Sequence, residues 1–158
     1  MKILLTGSSG MVGRNISEHA SAKDHEILTP SSQELNLLDG DSVSAYIKFC
    51  KPDIVIHAAG IVGGIQANIS NPIRFFVNNI QMGLNIVMAS RSCGVDKFMN
   101  LGTSCMYPRN AVNPLTEEII AKGALEPTNE GYALAKVSIT KLCEYINRED
   151  NSYFYKTV

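Results

Sequence analysis

The stretch that decides the fold is MKILLTGSSGMVGRN, residues 1–15, in which a strand-like segment is interrupted by regularly spaced glycines. The apolar run Lys2–Thr6 predicts a buried strand, and a helix is predicted over residues 11–22. The glycines between them follow a GxxGxxG pattern: Gly7, Gly10 and Gly13. A helix that starts after a parallel strand has unpaired N–H groups and the positive end of its dipole there, so a diphosphate binds well. The junction therefore predicts a dinucleotide site, and a tight turn without a ligand is the alternative.

The remainder of the chain alternates predicted strands with predicted helices. Strands are predicted at residues 25–28, around 34–37, and at 53–57, 97–101 and 153–158. Helices are predicted after the caps at 39–41, with an apolar stripe of Val43, Ile47 and Cys50, and over residues 71–92 and 132–148. A long polar loop is predicted over residues 111–131. This order indicates an α/β fold with a doubly wound, Rossmann-type parallel sheet, and one dinucleotide-binding domain over residues 1–158.

Composition and charge are those of an ordinary globular protein. The 158 residues are enough for one domain with a sizeable core, and 45% of them are hydrophobic and 18% charged. The net charge of -1 gives no electrostatic argument for nucleic acid or an anionic membrane as a partner. No apolar stretch reaches the ~18 residues of a membrane span. Because Met1 leads directly into a strand, no signal peptide is predicted, and we expect a cytoplasmic protein.

The four cysteines indicate free thiols. They are scattered along the chain, and no CxxC pair is present: Cys50, Cys93, Cys105 and Cys143. A reduced, cytoplasmic protein fits this distribution better than a disulfide framework or a zinc site does. We therefore predict no metal site.

The residues after the second predicted strand bear on the choice of nucleotide. NAD-binding proteins usually carry an acidic residue there, which holds the ribose 2′-hydroxyl. This chain has no acidic residue before Glu34, and the intervening residues are Thr29, Pro30, Ser31 and Ser32. A missing acid removes repulsion against a 2′-phosphate, which these hydroxyls and the nearby Arg14 can bind. NADP(H) is therefore the predicted cofactor.

Tyr132 and Lys136 are predicted to lie one helical turn apart on the same helix face. A tyrosine has an unperturbed pKa of ~10, and a nearby lysine cation stabilises the phenolate and lowers that pKa. The pair can therefore serve in acid–base chemistry, whereas a chance spacing of two unrelated residues is the alternative. The position of the pair, downstream of a glycine-rich loop in an α/β chain, favours acid–base chemistry.

A third group of polar residues follows the predicted strand 97–101, in the segment GTSCMYP, residues 102–108. The carboxyl edge of such a sheet is where a dinucleotide lies, so these side chains are predicted to be near it. Thr103 or Ser104 can donate a hydrogen bond to a substrate carbonyl. Cys105 is either a reactive thiol at this edge or a plain buried cysteine, which is the usual environment of that residue.

Taken together, the motifs resemble those of the extended short-chain dehydrogenase/reductases that act on nucleotide sugars, and among these the GDP-L-fucose synthase group. The resemblance extends over all 158 residues. The matching segments are TGSSGMVG, ELNLLD, HAAGIVGGIQAN, NNIQMGLN, GTSCMYP, LEPTNEGYALAK and KLCEYINR. The GGI and LEPTNE segments distinguish this group from general epimerases and dehydratases.

The resemblance implies roles for individual residues. Tyr132 would protonate the C4 oxygen of a keto sugar, Lys136 would hold the nicotinamide ribose, and Cys105 would be the base in an epimerisation. The hydroxyl donor would be Thr103, where these enzymes commonly have serine, or Ser104. The cofactor-binding residues would be Gly7, Ser9, Gly10, Met11, Val12, Gly13, Asn36, Leu37, Ala58, Ala59, Gly60, Tyr132 and Lys136. Serines stand at positions 9, 31 and 32, where the group often has arginine.

The resemblance also implies an activity and an architecture. The activity would be that of an NADPH-dependent 3,5-epimerase-4-reductase, which converts a GDP-4-keto-6-deoxy-mannose-type sugar to GDP-L-fucose or a close relative. Alternatives are a GDP-colitose or GDP-heptose type reductase, a UDP-sugar 4-epimerase and, from another class, a non-catalytic dinucleotide-binding module. Because these enzymes are longer, the chain is expected to be the cofactor-binding half, without the C-terminal substrate domain and the histidine that partners the cysteine.

A homodimer is expected as well, formed through the predicted helices 71–92 and 132–148. Extended reductases commonly pair these two helices with their symmetry mates. The first helix has one predicted apolar face at Phe75, Phe76, Ile80 and Leu84, and another at Val87. A helix that is apolar on two sides needs two partners, so one face can cover the sheet and the other a second copy.

Overall fold

The computed structural model describes residues 1–158, and its centre is a five-stranded parallel sheet. The strands are β1 (Lys2–Thr6), β2 (Glu26–Leu28), β3 (Ile54–His57), β4 (Lys97–Asn100) and β5 (Phe154–Thr157). Their order in the sheet is β2-β1-β3-β4-β5, and every neighbouring pair is parallel. The helices are α1 (Met11–Glu18), α2 (Gly40–Cys50), α3 (Ile65–Ser70), α4 (Pro72–Ser92) and α5 (Glu130–Glu149). The predicted doubly wound α/β fold is confirmed.

Apolar residues on the two faces of the sheet form two core clusters. The larger cluster joins the sheet to α2, α4 and α5, and it includes Leu4, Val43, Val55, Ile86, Phe98 and Ile139. The smaller cluster, against which Ile16 of α1 packs, consists of Ile3, Leu5 and Ile56. Successive residues of a strand point to opposite faces, so neighbouring apolar residues of β1 and β3 enter different clusters. The continuous apolar strands of the sequence thus belong to a sheet that is covered on both faces.

The predicted starts of two helices are confirmed. The Asp39 carboxylate accepts hydrogen bonds from the N–H groups of Asp41 and Ser42, both at 3.1 Å, at the start of α2. Pro72 is the first residue of α4, where its missing N–H group leaves no hydrogen bond unmade. The predicted stripe of α2 is buried, at Val43, Ile47 and Cys50.

Three elements differ from the prediction. Residues 34–37 do not form a strand, because the N–H groups of Glu34 and Leu35 both bond to the Ser31 carbonyl and make a turn. Helix α1 ends at Glu18, and a short 3-10 helix, Ala20–Asp24, follows it. Helix α3 lies in a segment for which the sequence predicts no element. None of the helices combines the length and the apolar character that a membrane crossing requires.

Candidate active site at the carboxyl edge of the sheet

The glycine loop joins β1 to α1 at the carboxyl edge of the sheet. Gly7 has a φ of +72°, and a Cβ atom there would lie 2.6 Å from the Ala59 nitrogen. A Cβ atom on Gly13 would overlap the Gly7 carbonyl oxygen and lie 2.6 Å from Ser8 Cα. Both positions require glycine, because the opposing atoms belong to the backbone and cannot rotate away. The start of α1 is therefore packed directly against the end of β1.

The outer side of this loop is open to solvent. Gly10 is the N-cap residue of α1 in an extended conformation, and no side chain bonds to the N–H groups of the first turn. Ser9, Met11 and Val12 are exposed, and Arg14 is exposed in the second turn. A helix start with free N–H groups, open on one side, has the shape and charge that a diphosphate needs.

Residues Ala58, Ala59 and Gly60 follow β3 and run beside the glycine loop. The backbone next to them is held by the buried Asn79 of α4. The Asn79 amide accepts a hydrogen bond from the Ile61 N–H at 2.8 Å and donates one to the Ile61 carbonyl at 2.9 Å. Asn79 has no role in the sequence-based interpretation. A usable signal was its place in NNIQMGLN, within a helix that must bury one face.

An acidic side chain does lie close to the end of β2. The Glu34 carboxylate accepts a hydrogen bond from the Ser31 N–H at 2.8 Å, and this bond holds the pKa of Glu34 below its usual value. No acidic residue comes before Glu34, as predicted, but the turn that replaces the predicted strand folds the Glu34 carboxylate back onto Ser31. Asn36 is exposed in the next turn, whereas Leu37 is buried in the core.

A row of polar side chains crosses the sheet where the strands end. Thr6, His57, Asn100 and Thr157 are in register on four adjacent strands. Thr6 Oγ1 and His57 Nδ1 are 2.8 Å apart, and the Asn100 amide donates to the Thr157 hydroxyl at 3.2 Å. Burial, together with repulsion from the nearby Lys136 cation, lowers the pKa of His57 to about 3. The imidazole is therefore neutral at physiological pH and does not serve as a base there.

Lys136 and Tyr132 lie on the part of α5 that reaches this edge. Lys136 is 7% exposed, its Nζ donates to the Leu101 carbonyl at 2.8 Å, and burial lowers its pKa to about 8. The pKa of Tyr132 is raised, first by burial and then by the charge of the Cys105 thiolate, while the Thr103 side chain acts in the opposite direction. The predicted lowering of the Tyr132 pKa is therefore wrong, because burial disfavours the charged phenolate and dominates the shift.

The segment after β4 forms a 3-10 helix, Ser104–Met106, which is capped by Thr103. The Thr103 hydroxyl accepts a hydrogen bond from the Cys105 N–H at 3.4 Å. Cys105 is only partly buried, so the alternative of a plain core cysteine does not apply to it, and Ser104 is exposed. By contrast, Cys143 is buried in the core.

The sulfur of Cys105 has a partner that the sequence-based interpretation misses. Asn129 Nδ2 donates a hydrogen bond to Cys105 Sγ at 3.1 Å. A usable signal was the spacing of Asn129, Tyr132 and Lys136, because residues three and seven positions apart lie on one face of a helix. The thiol and the amide thus meet where the turn after β4 contacts the start of α5, and Tyr132 is near enough for the charge of Cys105 to affect its pKa.

A cleft of about 340 Å³ opens beside the thiol. The residues that line it include Ser104, Cys105, Tyr107, Arg109, Glu126 and Asn129. The structure therefore brings Thr103, Cys105, Tyr132 and Lys136 to one edge of the sheet, and Cys105 is the member of this group that lines the cleft. No three histidine, cysteine, aspartate or glutamate side chains are grouped closely enough to hold a metal ion.

Known proteins resemble the chain over almost its whole length. Residues 3–158 match the profile of the NAD dependent epimerase/dehydratase family. The chain is 57% identical over 157 residues to the GDP-L-colitose synthase of Yersinia pseudotuberculosis, a match that covers 99% of this chain and 51% of that protein. It is 48% identical over 157 residues to the GDP-L-fucose synthase of Azorhizobium caulinodans, covering 99% and 50%. The chain spans about half the length of the curated relatives it matches.

A solved structure shares the fold. The GDP-mannoheptose C4 reductase of Campylobacter jejuni, whose structure has NADP bound, superimposes with a TM-score of 0.92 at 29% identity. This match covers 99% of the chain and 49% of the reductase. The predicted resemblance to enzymes of the GDP-L-fucose synthase group is confirmed by these comparisons.

Proposed function

The chain belongs to the NAD dependent epimerase/dehydratase family, and from this premise we propose that it is the NADP(H)-binding half of a nucleotide-sugar epimerase/reductase. The proposed substrate is a GDP-linked 4-keto-6-deoxy sugar. The observation that carries the proposal is the grouping of Thr103, Cys105, Tyr132 and Lys136 at the carboxyl edge of the sheet. The similar proteins support the GDP-sugar class, because they are named as synthases of GDP-L-colitose and GDP-L-fucose and as a GDP-mannoheptose reductase.

The residues of the glycine loop fit NADP(H). A Cβ atom at Gly7 or Gly13 would clash with backbone atoms of the junction, so the glycines let α1 start directly beside β1 and β3, where its free N–H groups can approach a diphosphate. We assign the diphosphate to residues 7–13, and residues 58–60, which follow β3, to the same cofactor site. Lys136 would hold the nicotinamide ribose. The cofactor, when bound, supplies a hydride to C4 of the sugar.

Tyr132 holds the proton that the C4 oxygen receives. Because burial raises its pKa above the usual value, the phenol is protonated at neutral pH and acts as an acid. Thr103 lies next to Tyr132 and is the better placed of the two hydroxyl candidates, since Ser104 is exposed. Lys136 keeps a positive charge near the oxygen on which negative charge develops.

Cys105 is the proposed base for inversion at C3 and C5. A ketone at C4 makes the neighbouring C–H bonds acidic, so a thiolate can remove one of these protons. The C–H bond breaks, an S–H bond forms, and the electron pair moves onto the ketone oxygen as an enolate. The charge of Cys105 acts on the pKa of Tyr132, which supports a base and an acid that lie near each other. The acid that returns a proton on the other sugar face belongs to the remaining half of the enzyme.

Substitutions in the intact enzyme test these roles in D₂O with NADPH and the 4-keto sugar. Tyr132→Phe is expected to lower the reductase rate by ~10²–10⁴-fold, with the fold intact. Cys105→Ser is expected to stop deuterium from entering C3 and C5, and Cys93→Ser, at the far end of α4, is the matched control. Deuterium entry at the wild-type rate in Cys105→Ser would exclude the thiol as base. Tight NADPH binding without any turnover would instead identify a non-catalytic module.

A colitose-type sugar is the second candidate substrate. The relative that is 57% identical is a GDP-L-colitose synthase, whereas the GDP-L-fucose synthase is 48% identical. Nuclear magnetic resonance of the product formed from each 4-keto sugar distinguishes the two. GDP-L-colitose as the preferred product would replace GDP-L-fucose in the proposal, leave the roles of Tyr132 and Lys136 unchanged and limit inversion by Cys105 to C5.

We also propose a homodimer formed through α4 and α5. Both helices carry exposed apolar residues: Ile73, Phe76, Val77, Leu84, Met88, Leu134 and Tyr145. The apolar face predicted from the sequence is partly wrong, because Phe75 is buried along with Val87. A second copy would cover the exposed stripes in an isologous contact. Sedimentation velocity of the intact enzyme tests this, and a clean monomer at micromolar concentration rules the dimer out.

A further inference from the structure

Asn129 lies at the start of α5, but its amide does not cap the helix. An asparagine at this position usually accepts a hydrogen bond from an N–H group of the first turn. Here Nδ2 donates instead to Cys105 Sγ at 3.1 Å, a residue 24 positions away in the chain. The other amide atom, Oδ1, is buried and has no hydrogen-bond partner. An unpartnered buried oxygen is unfavourable, which indicates that the site and not the helix determines the side-chain orientation.

The backbone of Asn129 is fixed independently of the sulfur. Its N–H bonds to the Glu126 carbonyl at 3.2 Å, and its own carbonyl accepts from the Ala133 N–H at 3.0 Å. The Glu126 carboxylate accepts from both the N–H and the hydroxyl of Thr128, at 3.2 and 3.0 Å. These hydrogen bonds fix the backbone of the turn on both sides of Asn129. The contact of its amide with the sulfur therefore depends only on the side-chain torsion angles of Asn129.

We propose that Asn129 is a positioning residue, which holds Cys105 Sγ in place and stabilises its thiolate form. This inference rests on the proposed function, in which Cys105 is the base. An N–H donor bonds more strongly to a charged acceptor than to a neutral one, so the amide favours the thiolate over the thiol. When the thiolate has taken the sugar proton, rotation of the amide about Cβ–Cγ offers Oδ1 to the new S–H group.

The test measures the ionisation of Cys105 directly in the intact enzyme, without substrate. The protein is alkylated with iodoacetamide across a pH series, and mass spectrometry follows the tryptic peptide 98–109, in which Cys105 is the only cysteine. Asn129→Ala is expected to raise the midpoint of the labelling curve by about one pH unit. Asn129→Asp is expected to raise it further, because it places a negative charge beside the sulfur. Asn110→Ala, an exposed asparagine of the same loop, is the control.

A raised midpoint with an unchanged melting temperature supports the role of Asn129. Asn129→Leu keeps the approximate size of the side chain but has neither the amide donor nor a charge, so it is expected to raise the midpoint as well and answers the question even if Asn129→Ala does not fold. Wild-type midpoints in the folded variants overturn the inference, whatever the enzyme does with its substrate. Deuterium exchange by Cys105→Ser tests separately whether Cys105 is the base. Failure of the Asn129 role can therefore be distinguished from failure of the proposed function.

Discussion

Gly13→Ala tests whether the junction of β1 and α1 is a close-packed cradle. The added methyl group would overlap the Gly7 carbonyl oxygen and lie 2.6 Å from Ser8 Cα. Carbon atoms normally approach each other to ~3.5–4.0 Å, so α1 must move away from the loop by roughly 1 Å. Overpacking of this kind costs ~1–3 kcal/mol, and the upper end applies because backbone atoms oppose the methyl group. Alanine in a helix interior gains ~1 kcal/mol over glycine, which offsets part of this loss.

The expected net loss of stability is therefore about 2 kcal/mol. For an intact enzyme about twice as long as this chain, this loss lowers the melting temperature by roughly 3 °C, which circular dichroism can measure. Gly10→Ala is the matched control, because its methyl group would meet only the Gly7 oxygen, at 3.3 Å. Its melting temperature should stay close to that of the wild type, while calorimetry should show weaker NADPH binding at the crowded helix start. Wild-type stability and NADPH affinity in Gly13→Ala would refute the close packing.

Two further predictions concern charge. The pKa of His57 is about 3 in the folded state and ~6.5 in the unfolded state, so the unfolded state binds more protons between these values. The free energy of unfolding should therefore be highest above about pH 6.5 and should fall by up to ~5 kcal/mol towards pH ~3. In His57→Gln the free energy of unfolding, measured with urea, should fall less over the same pH range. Glu34→Gln keeps an acceptor for the Ser31 N–H but removes a charge near the predicted 2′-phosphate position. Calorimetry should show up to ~5-fold more preference for NADPH over NADH, and an unchanged ratio would place the phosphate elsewhere.

Most of the fold is predictable because strands and helix starts have local causes. A strand buried on both faces must be continuously apolar, as Lys2–Thr6 is, and a helix start needs a cap, which Asp39 supplies. The predicted strand at 34–37 is wrong because the same alternation of leucines and polar residues also fits a turn. A turn held by Ser31 buries alternate leucines in the core without any strand pairing, and Leu35 is one of these. Alternation alone cannot distinguish the two.

Residues that share one element of the site are predictable, whereas contacts between elements are not. The spacing of Tyr132 and Lys136 follows from helix geometry. The direction of the Tyr132 pKa does not follow from it, because burial and the Cys105 charge raise this pKa, and Cys105 belongs to another segment. Lys136 reaches across to Leu101, a contact that requires the turn after β4 to lie under α5. No spacing within α5 contains that information.

The position of α5 on the sheet therefore controls the whole candidate site at once. The phenol of Tyr132, the ammonium of Lys136 and the amide of Asn129 all come from this helix or its cap, while the thiol comes from the turn after β4. A shift of α5 along its axis would move all three groups relative to Cys105 together. What prevents such a shift is the burial of residues such as Ile139 of α5, only 3% exposed, against the sheet and α4. The chemistry of this edge thus depends on core packing that no catalytic motif includes.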